Sequence, residues 1–327
     1  MGNRLEDMVA VVTGAGRGIG KSTALLLAEE GASVVVNDLG GDVDGTGVSL
    51  SPADEVVKEI QDAGGTAVAS YDSVAEFDSA GKIIQTALDN FGGVDILCHV
   101  AGILRDRMIF NMTEEEWDGV LQVHLYGAFN VVRHAIPHMI EQEYGRIVLF
   151  SSGSGLGASG QANYASAKEG MVGFTRALAG ELAEYEITVN AVYPGAATRM
   201  AATVPDSTRQ LRQQQRTAAA AEATGTPAKA GVSTGGWPPA GPEETQAPEN
   251  NAPKAVYLCT EAGGSITGQV IGTSGWPMTL YSPRHVVNTI HKNGRWTLDE
   301  LDKLVPISLG AGLVNPVPLQ PPREPSS

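Results

Sequence analysis

The 327-residue chain predicts a single Rossmann-type, doubly wound α/β domain: a parallel sheet of about seven strands with helices on both faces. Three observations predict it. Short, continuously apolar runs alternate with helix-forming stretches along most of the chain, as buried parallel strands and crossover helices do. A glycine cluster lies between the first apolar run and the first helix. The second apolar run ends in an acid, Asp38, next to a Gly-rich loop.

The elements follow in order. Residues 8–13 form strand one, and 21–30 form a helix of strong helix formers ended by Gly31. Strand two is Ser33 to Asn37. A helix over 52–63 leads to strand three at 66–70, and a helix over 78–90 to strand four, Val94 to Cys98. A long helix over 113–140 leads to strand five at 146–150. A helix over 161–183 leads to strand six, Ile187 to Tyr193. A short helix over 252–260 leads to strand seven near 269–274. Residues 201–250 break the rhythm, with few large apolar side chains after Leu211. A short polar helix is expected over 205–216 and a linker-like stretch over 217–250. Thr297 to Glu300 has the pattern of a capping box opening a helix through Val305, and the Pro-rich last dozen residues are expected to be extended. The organisation is therefore a dinucleotide-binding and catalytic domain over 1–200 and 251–280, a polar insert over 201–250, and a C-terminal extension over 281–327.

Composition narrows the function. A net charge of −15 argues against general binding to nucleic acid or anionic membranes, while leaving room for a local basic pocket. Cys98 and Cys259 sit in apolar runs and read as small buried hydrophobes, not as a disulfide. No apolar run reaches spanning length. The N-terminus has no secretory h-region and the C-terminus no Ser-Lys-Leu, so the cytoplasm is the expected compartment.

Two constellations carry chemistry. Gly14, Gly16, Gly18 and Gly20 stand where backbone can approach a pyrophosphate and a helix N-terminus faces the anion. An NTPase phosphate loop is excluded, because Ala15 stands where that motif requires glycine. Asp38 is placed to accept hydrogen bonds from an adenosine ribose and to repel a 2′-phosphate, favouring NAD over NADP; a turn-forming acid is the other reading. Tyr164 and Lys168, four apart, share one helical face. A free phenol loses its proton near ~10 and a nearby ammonium lowers that value. A drop of about three units needs about 4 kcal/mol, more than an exposed ion pair supplies, so the site is expected to be partly dry and to gain the charge of an oxidised nicotinamide ring. Other patterns fail. The run from Asp42 lacks calcium ligands at Thr46 and Ala53. His134 and His138 lack a glutamate at Ala135, and Ser151 and Ser152 lack a nucleophile elbow. No metal site is expected.

With Thr13 to Gly20, Ala101-Gly102, Ser151, Tyr164-x-x-x-Lys168 and Pro194-Gly195 in this order, the sequence resembles the short-chain dehydrogenase/reductase family. Val36 to Gly41, Tyr71 to Val74, Ala101 to Arg107, Val123-His-Leu125, Tyr144 to Ile147 and Gly160 to Tyr164 resemble a subgroup of it. That subgroup is the (3R)-hydroxyacyl-CoA dehydrogenase part of multifunctional enzymes type 2, also called 17β-hydroxysteroid dehydrogenases type 4, with bacterial relatives acting on steroid side-chain CoA thioesters.

The resemblance implies roles. Tyr164 takes the hydroxyl proton. Lys168 lowers its pKa and holds the nicotinamide ribose. Ser151, thirteen residues before Tyr164 as is usual in the family, orients the substrate oxygen, with Ser152 the alternative. The implied NAD contacts are Gly14, Arg17, Gly18, Ile19, Gly20, Asp38, Asp72, Ser73, His99, Ala101, Gly102, Tyr164, Lys168, Pro194, Gly195, Ala197 and Thr198. Two positions depart from the family pattern, which has Asn at both. One is His99. The other is His124, a substitute proton-relay member or else a packed core histidine. The implied reaction is NAD-dependent oxidation of a (3R)-hydroxyacyl-CoA, fatty or steroid, in β-oxidation. A hydroxysteroid or other alcohol dehydrogenase without CoA recognition is the alternative, and a catalytically silent NAD-binding scaffold a remote one. Arg105, Arg107, Arg199, Arg209 and Arg212 are candidates to offset the charge of CoA, against a reading as solvated loop charge. The insert is expected to cover the substrate. The long helices are expected to pair subunits into a homodimer or homotetramer.

Overall fold

In a computed structural model, residues 2–47, 49–197 and 243–311, with Gln210 and Gln214, are described. Eight strands form one sheet in the order β3-β2-β1-β4-β5-β6-β7-β8. They are β1 (Val9–Thr13), β2 (Ser33–Asn37), β3 (Thr66–Ser70), β4 (Ile96–His99), β5 (Gly145–Phe150), β6 (Ile187–Tyr193), β7 (Val270–Gly272) and β8 (Thr279–Tyr281). The first seven are parallel; β8 runs antiparallel along β7. The doubly wound sheet matches the sequence expectation. The eighth strand was not expected: three residues between Pro277 and Pro283 carry no periodic signal.

Alternate strand residues serve opposite faces. Ala10, Val12, Val34 and Val36 pack with Leu27, Val56 and Val256, which come from α1 (Gly18–Glu29), α2 (Ser51–Asp62) and a short C-terminal helix (Ala252–Tyr257). Val11, Val35, Leu97, Ile147 and Leu149 pack on the other face with Ile83, Val131 and Met171, from α3 (Phe77–Phe91), a helix over Gly127–Glu141 and one over Ala162–Glu181. Burial on both faces explains why the strands read as unbroken apolar runs. Strand four begins later than expected because the Asp95 carboxylate turns back to accept the Val9 N–H at 2.7 Å.

The helix expected over 113–140 is one rod of three pieces. A capping box between Thr113 and Glu116 opens α4 (Glu114–Leu121). Residues Gln122–Tyr126 then make a π-helical turn, and α5 (Gly127–Glu141) follows. Such bulges collect at functional sites, and this one carries His124. The helix of Tyr164 and Lys168 is α6 (Ala162–Glu181), and the short C-terminal helix over Ala252–Tyr257 is α7. Thr297 and Glu300 form the expected capping box of α8 (Leu298–Leu304). Residues 243–250, read from sequence as linker-like, instead form two 3-10 turns, Glu243–Gln246 and Pro248–Asn250. The helix expected over 205–216, most of the linker stretch and the Pro-rich end lie outside the described residues.

Cys98 and Cys259 are buried and reduced, their sulfurs 3.9 Å apart. No described helix is long and apolar enough to cross a membrane. The chain runs β1-β2-β3 towards one edge and then returns to place β4 on the other side of β1. The crevice at the carboxyl ends of β1 and β4 is therefore the topological switch point, where ligands of such sheets bind.

Leu149 is fully buried in the central strand. Leu149→Ala is expected to lower unfolding free energy by about 2–5 kcal/mol, read as a lower urea midpoint with unchanged slope.

Candidate active site

One wall of the crevice is the turn from β1 into α1. Gly14 is left-handed at φ +65°, and a Cβ there would stand 2.7 Å from the Ala101 backbone. A Cβ on Gly20 would lie 2.0 Å from the Gly14 carbonyl oxygen, so only glycine lets α1 start this close to the strand. Arg17 occupies the N-cap without a side-chain cap bond, and the first turn holds no acid. The amides of α1 thus face the crevice uncapped, which fits an anion. Asp38 closes the far end: its Oδ2 accepts the Gly16 N–H at 2.8 Å and its Oδ1 the Gly40 N–H at 2.6 Å. The Arg17 guanidinium donates to the Gly41 carbonyl at 3.4 Å, and Ile19 packs on the core beneath the loop.

Asp72 and Ser73 continue this wall. The Asp72 carbonyl takes a hydrogen bond from Asn37 at 2.9 Å, and the Ser73 amide donates to Ser79 Oγ at 2.8 Å. Across the crevice, Pro194 and Gly195 follow β6. Gly195 is held on both sides of its backbone by the buried Asn251, at 3.1 and 3.2 Å, while Thr273 Oγ1 donates to Asn251 Oδ1 at 2.9 Å. Sequence reading missed Asn251; its position just before α7 was the available signal. The Ala197 amide donates to the Gln246 carbonyl at 2.7 Å. Thr198, Arg199, Arg209 and Arg212 lie outside the described residues.

The opposite wall is α6. Lys168 is 3% exposed, its Nζ donating to the Phe150 carbonyl and lying 5.6 Å from the Tyr164 ring centroid. Burial pulls its amine down from 10.5 to about 7. Tyr164 is pushed up to about 12, first by burial; a hydrogen bond from Ser152 opposes this and Asp106 adds to it. The expected lowering of the phenol by an ammonium is thus not a property of the protein alone. Desolvation dominates, and the Lys168 amine is turned onto Phe150.

The two serines separate. Ser151 is 1% exposed and its hydroxyl donates to the Lys168 carbonyl at 2.6 Å, tying β5 to α6. Ser152, twelve residues before Tyr164, is the serine whose side chain meets the Tyr164 hydroxyl. Spacing favoured Ser151; the geometry brings Ser152 to the phenol. A strand end alternates its side chains, so a one-residue difference in loop length exchanges the two hydroxyls.

His99 and His124 meet behind this pair. The Ala101 N–H points to Thr13 Oγ1 at 3.3 Å, which lies 2.9 Å from His99 Nδ1; His99 Nε2 lies 3.3 Å from the His124 carbonyl. A carbonyl only accepts, so Nε2 of His99 carries the proton and Nδ1 accepts from Thr13. Burial, then the Lys168 charge, pulls His99 down to about 3, so its ring is a neutral strut. His124 is 1% exposed, its ring edge-on to Tyr164 with centroids 5.0 Å apart. Its Nε2 is 2.8 Å from the Ile103 carbonyl and 3.0 Å from the Ile103 amide, and its Nδ1 has no partner among the described residues. Gly102 is required beside it, since a Cβ there would stand 2.2 Å from His124 Cε1.

A strap over residues 101–107 crosses the mouth of the crevice. Asn163, fully buried, donates to the carbonyls of Arg105 and Glu116 at 3.1 and 2.8 Å and accepts the Tyr164 N–H at 2.8 Å. Gln161 donates to both oxygens of Asp106, at 3.1 and 2.9 Å. The sequence places Gln161 and Asn163 in the subgroup motif but assigns neither a task. Arg105 and Arg107, candidates to meet CoA, pair with Glu115 at 3.2 Å and Glu116 at 2.8 Å.

Known proteins share this sequence and this fold. The family model "short chain dehydrogenase" matches residues 8–209. The chain is 58% identical to a putative short-chain type dehydrogenase/reductase of Mycobacterium tuberculosis over 197 residues, 60% of this chain and 69% of that one. It is 49% identical to the peroxisomal multifunctional enzyme type 2 of Mus musculus over 202 residues, 62% of this chain but only 27% of that enzyme. A 3-oxoacyl-[acyl-carrier-protein] reductase of Thermotoga maritima is 36% identical over 83% of this chain and 98% of its own length. Among solved structures, a short chain dehydrogenase from Mycobacterium avium matches with a TM-score of 0.76 and 37% identity, covering 96% of this chain and 98% of that one.

The buried amine makes a testable statement about stability. Its native pKa, about 7, lies below the 10.5 of the free side chain, so between these values the unfolded chain binds a proton that the native chain does not. Wild-type stability should therefore rise, as far as this group is concerned, as pH goes from 7 towards 10, and below 7 the destabilisation it causes is complete and no longer changes with pH. Lys168→Met lacks the penalty, so its stability relative to wild type should be greatest at pH 7 and shrink steadily by pH 9.5 in urea titrations.

Proposed function

The chain belongs to the short-chain dehydrogenase family, an oxidoreductase acting on CH–OH groups with a nicotinamide cofactor, and from that premise we propose that it oxidises a (3R)-hydroxyacyl-CoA to the 3-oxoacyl-CoA with NAD. The observation that carries the chemistry is the meeting of Tyr164, Ser152 and Lys168 on one side of a glycine-lined crevice closed by Asp38. The acyl-CoA substrate is supported by the subgroup motifs, Ala101 to Arg107 and Gly160 to Tyr164 above all, and by the likeness to multifunctional enzyme type 2.

Gly14, Gly16, Gly18 and Gly20 would hold the pyrophosphate against the uncapped start of α1, and Asp38 the adenosine ribose. The carboxylate of Asp38 disfavours a 2′-phosphate, which supports NAD over NADP. The cofactor, when bound, accepts the hydride from the carbinol carbon and brings a positive ring charge to the site.

Ser152 donates to the substrate oxygen and aims its proton at Tyr164. The Tyr164 oxygen, once it has given up its own proton and become phenolate, takes that proton as the carbonyl forms. Lys168 is poised near neutrality by burial and sits one turn along α6, where its charge stabilises the phenolate. His124 is the proposed relay member. Burial keeps it neutral, so it would serve by hydrogen bonding and not by holding the proton, with its Nδ1, which has no partner among the described residues, as the acceptor.

The function is tested with a panel of (3R)-hydroxyacyl-CoA thioesters of graded bulk and a free hydroxysteroid, each with NAD and with NADP. Oxidation of the thioesters with NAD is expected. Turnover of the free steroid alone would overturn the substrate assignment, and equal rates with NADP the role of Asp38. Tyr164→Phe is expected to bind NAD normally and lose at least about 10³-fold in kcat.

The serines give a sharper readout. Ser152→Ala should lower kcat about 10²-fold with cofactor affinity intact, whereas Ser151→Ala should act mainly on stability, because its bond joins β5 to α6. The reverse pattern would return the orienting role to Ser151.

A further inference from the structure

Arg105 has a task that neither its charge nor its place in the motif announces. The loop after Asp38 folds on itself, with the Gly45 amide on the Asp42 carbonyl and the Ser49 amide on the Leu39 carbonyl, both at 3.0 Å. Its tip does not face solvent alone but reaches the strap. The Leu104 amide donates to the Val43 carbonyl at 2.9 Å, Arg105 Nε donates to the Asp44 carbonyl at 2.9 Å, and Ile103 sits over Gly45, left-handed at φ +88°. The guanidinium then turns to α4. It donates to the Glu115 carbonyl and carboxylate, each at 3.2 Å, and packs over Gly119, where a Cβ would stand 3.1 Å from it. Meanwhile the carbonyl of the same residue accepts from Asn163, whose own carbonyl oxygen holds the Tyr164 amide.

One residue therefore touches the loop that begins at the ribose-binding acid, the helix that leads through the π-turn to His124, and the first turn of the helix that carries Tyr164. We propose that Arg105 is a positioning residue that couples seating of the dinucleotide to alignment of the alcohol site. Only a planar fork with several fixed donors reaches Asp44 and Glu115 at once; an ammonium on a flexible stem makes one such bond at a time. Arg105 touches neither the glycine turn nor Asp38, so any effect on cofactor affinity must travel through the loop. Any effect on turnover must travel through α4 or Asn163. The reading of the chain as an NAD-dependent hydroxyacyl-CoA dehydrogenase is assumed for the turnover arm only.

The test uses the full chain, with Arg105→Ala, Arg105→Lys and, as a control for charge, Arg107→Ala. NAD affinity is read by titration calorimetry, which needs no turnover. Both Arg105 variants are expected to bind NAD more weakly, by about tenfold for Ala, within the usual range of coupling between sites, while Arg107→Ala stays within about twofold. At saturating NAD, kcat with (3R)-hydroxybutyryl-CoA is expected to fall for Arg105→Lys as well. Should Arg105→Ala fail to fold, Arg105→Lys keeps the charge and decides alone. Wild-type NAD affinity in Arg105→Lys would overturn the proposal, and so would weakened NAD binding with unchanged kcat at saturation. A wild-type chain that binds NAD but oxidises no CoA thioester would refute the substrate reading and leave the calorimetric arm to judge Arg105.

Discussion

The structure depends on a lysine amine kept out of water against a backbone carbonyl. Lys168 is buried beneath Tyr164 with its Nζ on the Phe150 oxygen. Burial alone brings the amine near neutrality, and burial again raises the phenol beside it. A buried charge without a counter-ion is costly, and the protein tolerates this one by letting the amine approach neutrality instead of pairing it. The pair is thus held with a neutral phenol and an amine poised between its two charge states. An arriving cationic ring is needed to favour the phenolate, which makes the site responsive to its cofactor.

That arrangement needs a rigid surround, and the sheet supplies it. Ser151 fastens the end of β5 to the backbone of α6 at Lys168, so the strand and the helix cannot separate without breaking a buried bond. His99, held neutral between Thr13 and the His124 carbonyl, spans from β1 to the π-turn. These contacts share one logic: buried polar groups around the switch point bond to distant parts of the chain, which fixes the shape of the crevice. The cost is visible in the glycines. Gly14, Gly20 and Gly102 each occupy a place where a single methyl group would collide with backbone or with His124.

The strap over residues 101–107 gives the site its second connection. Five of its residues bond outward: Ala101 to Thr13, Ile103 to His124, Leu104 to the loop after Asp38, and Asp106 and Arg107 to Gln161 and the Gly160 carbonyl just before α6. The two arginines that composition offered as counter-charges for CoA are drawn into this stitching by Glu115 and Glu116. Their value is geometric, since exposed ion pairs contribute little by themselves.

Sequence alone determined the doubly wound sheet, because strands buried on both faces must be continuously apolar and the helices between them amphipathic or short. It determined the glycine turn, Asp38 and the Tyr164–Lys168 spacing for the same reason, since each is a local pattern whose residues lie within a turn or two of one another. It did not reveal β8, which is too short to show a period, nor the π-turn, which adds one residue without changing helical composition. Nor could it choose between Ser151 and Ser152, assign work to Asn163 and Asn251, or see that His99 and His124 touch. Only the tertiary structure decided these, together with the direction of the phenol's pKa. Hydrogen-bond partners distant in sequence, and the degree of water exclusion around a side chain, are set by how the elements pack and leave no spacing to be read.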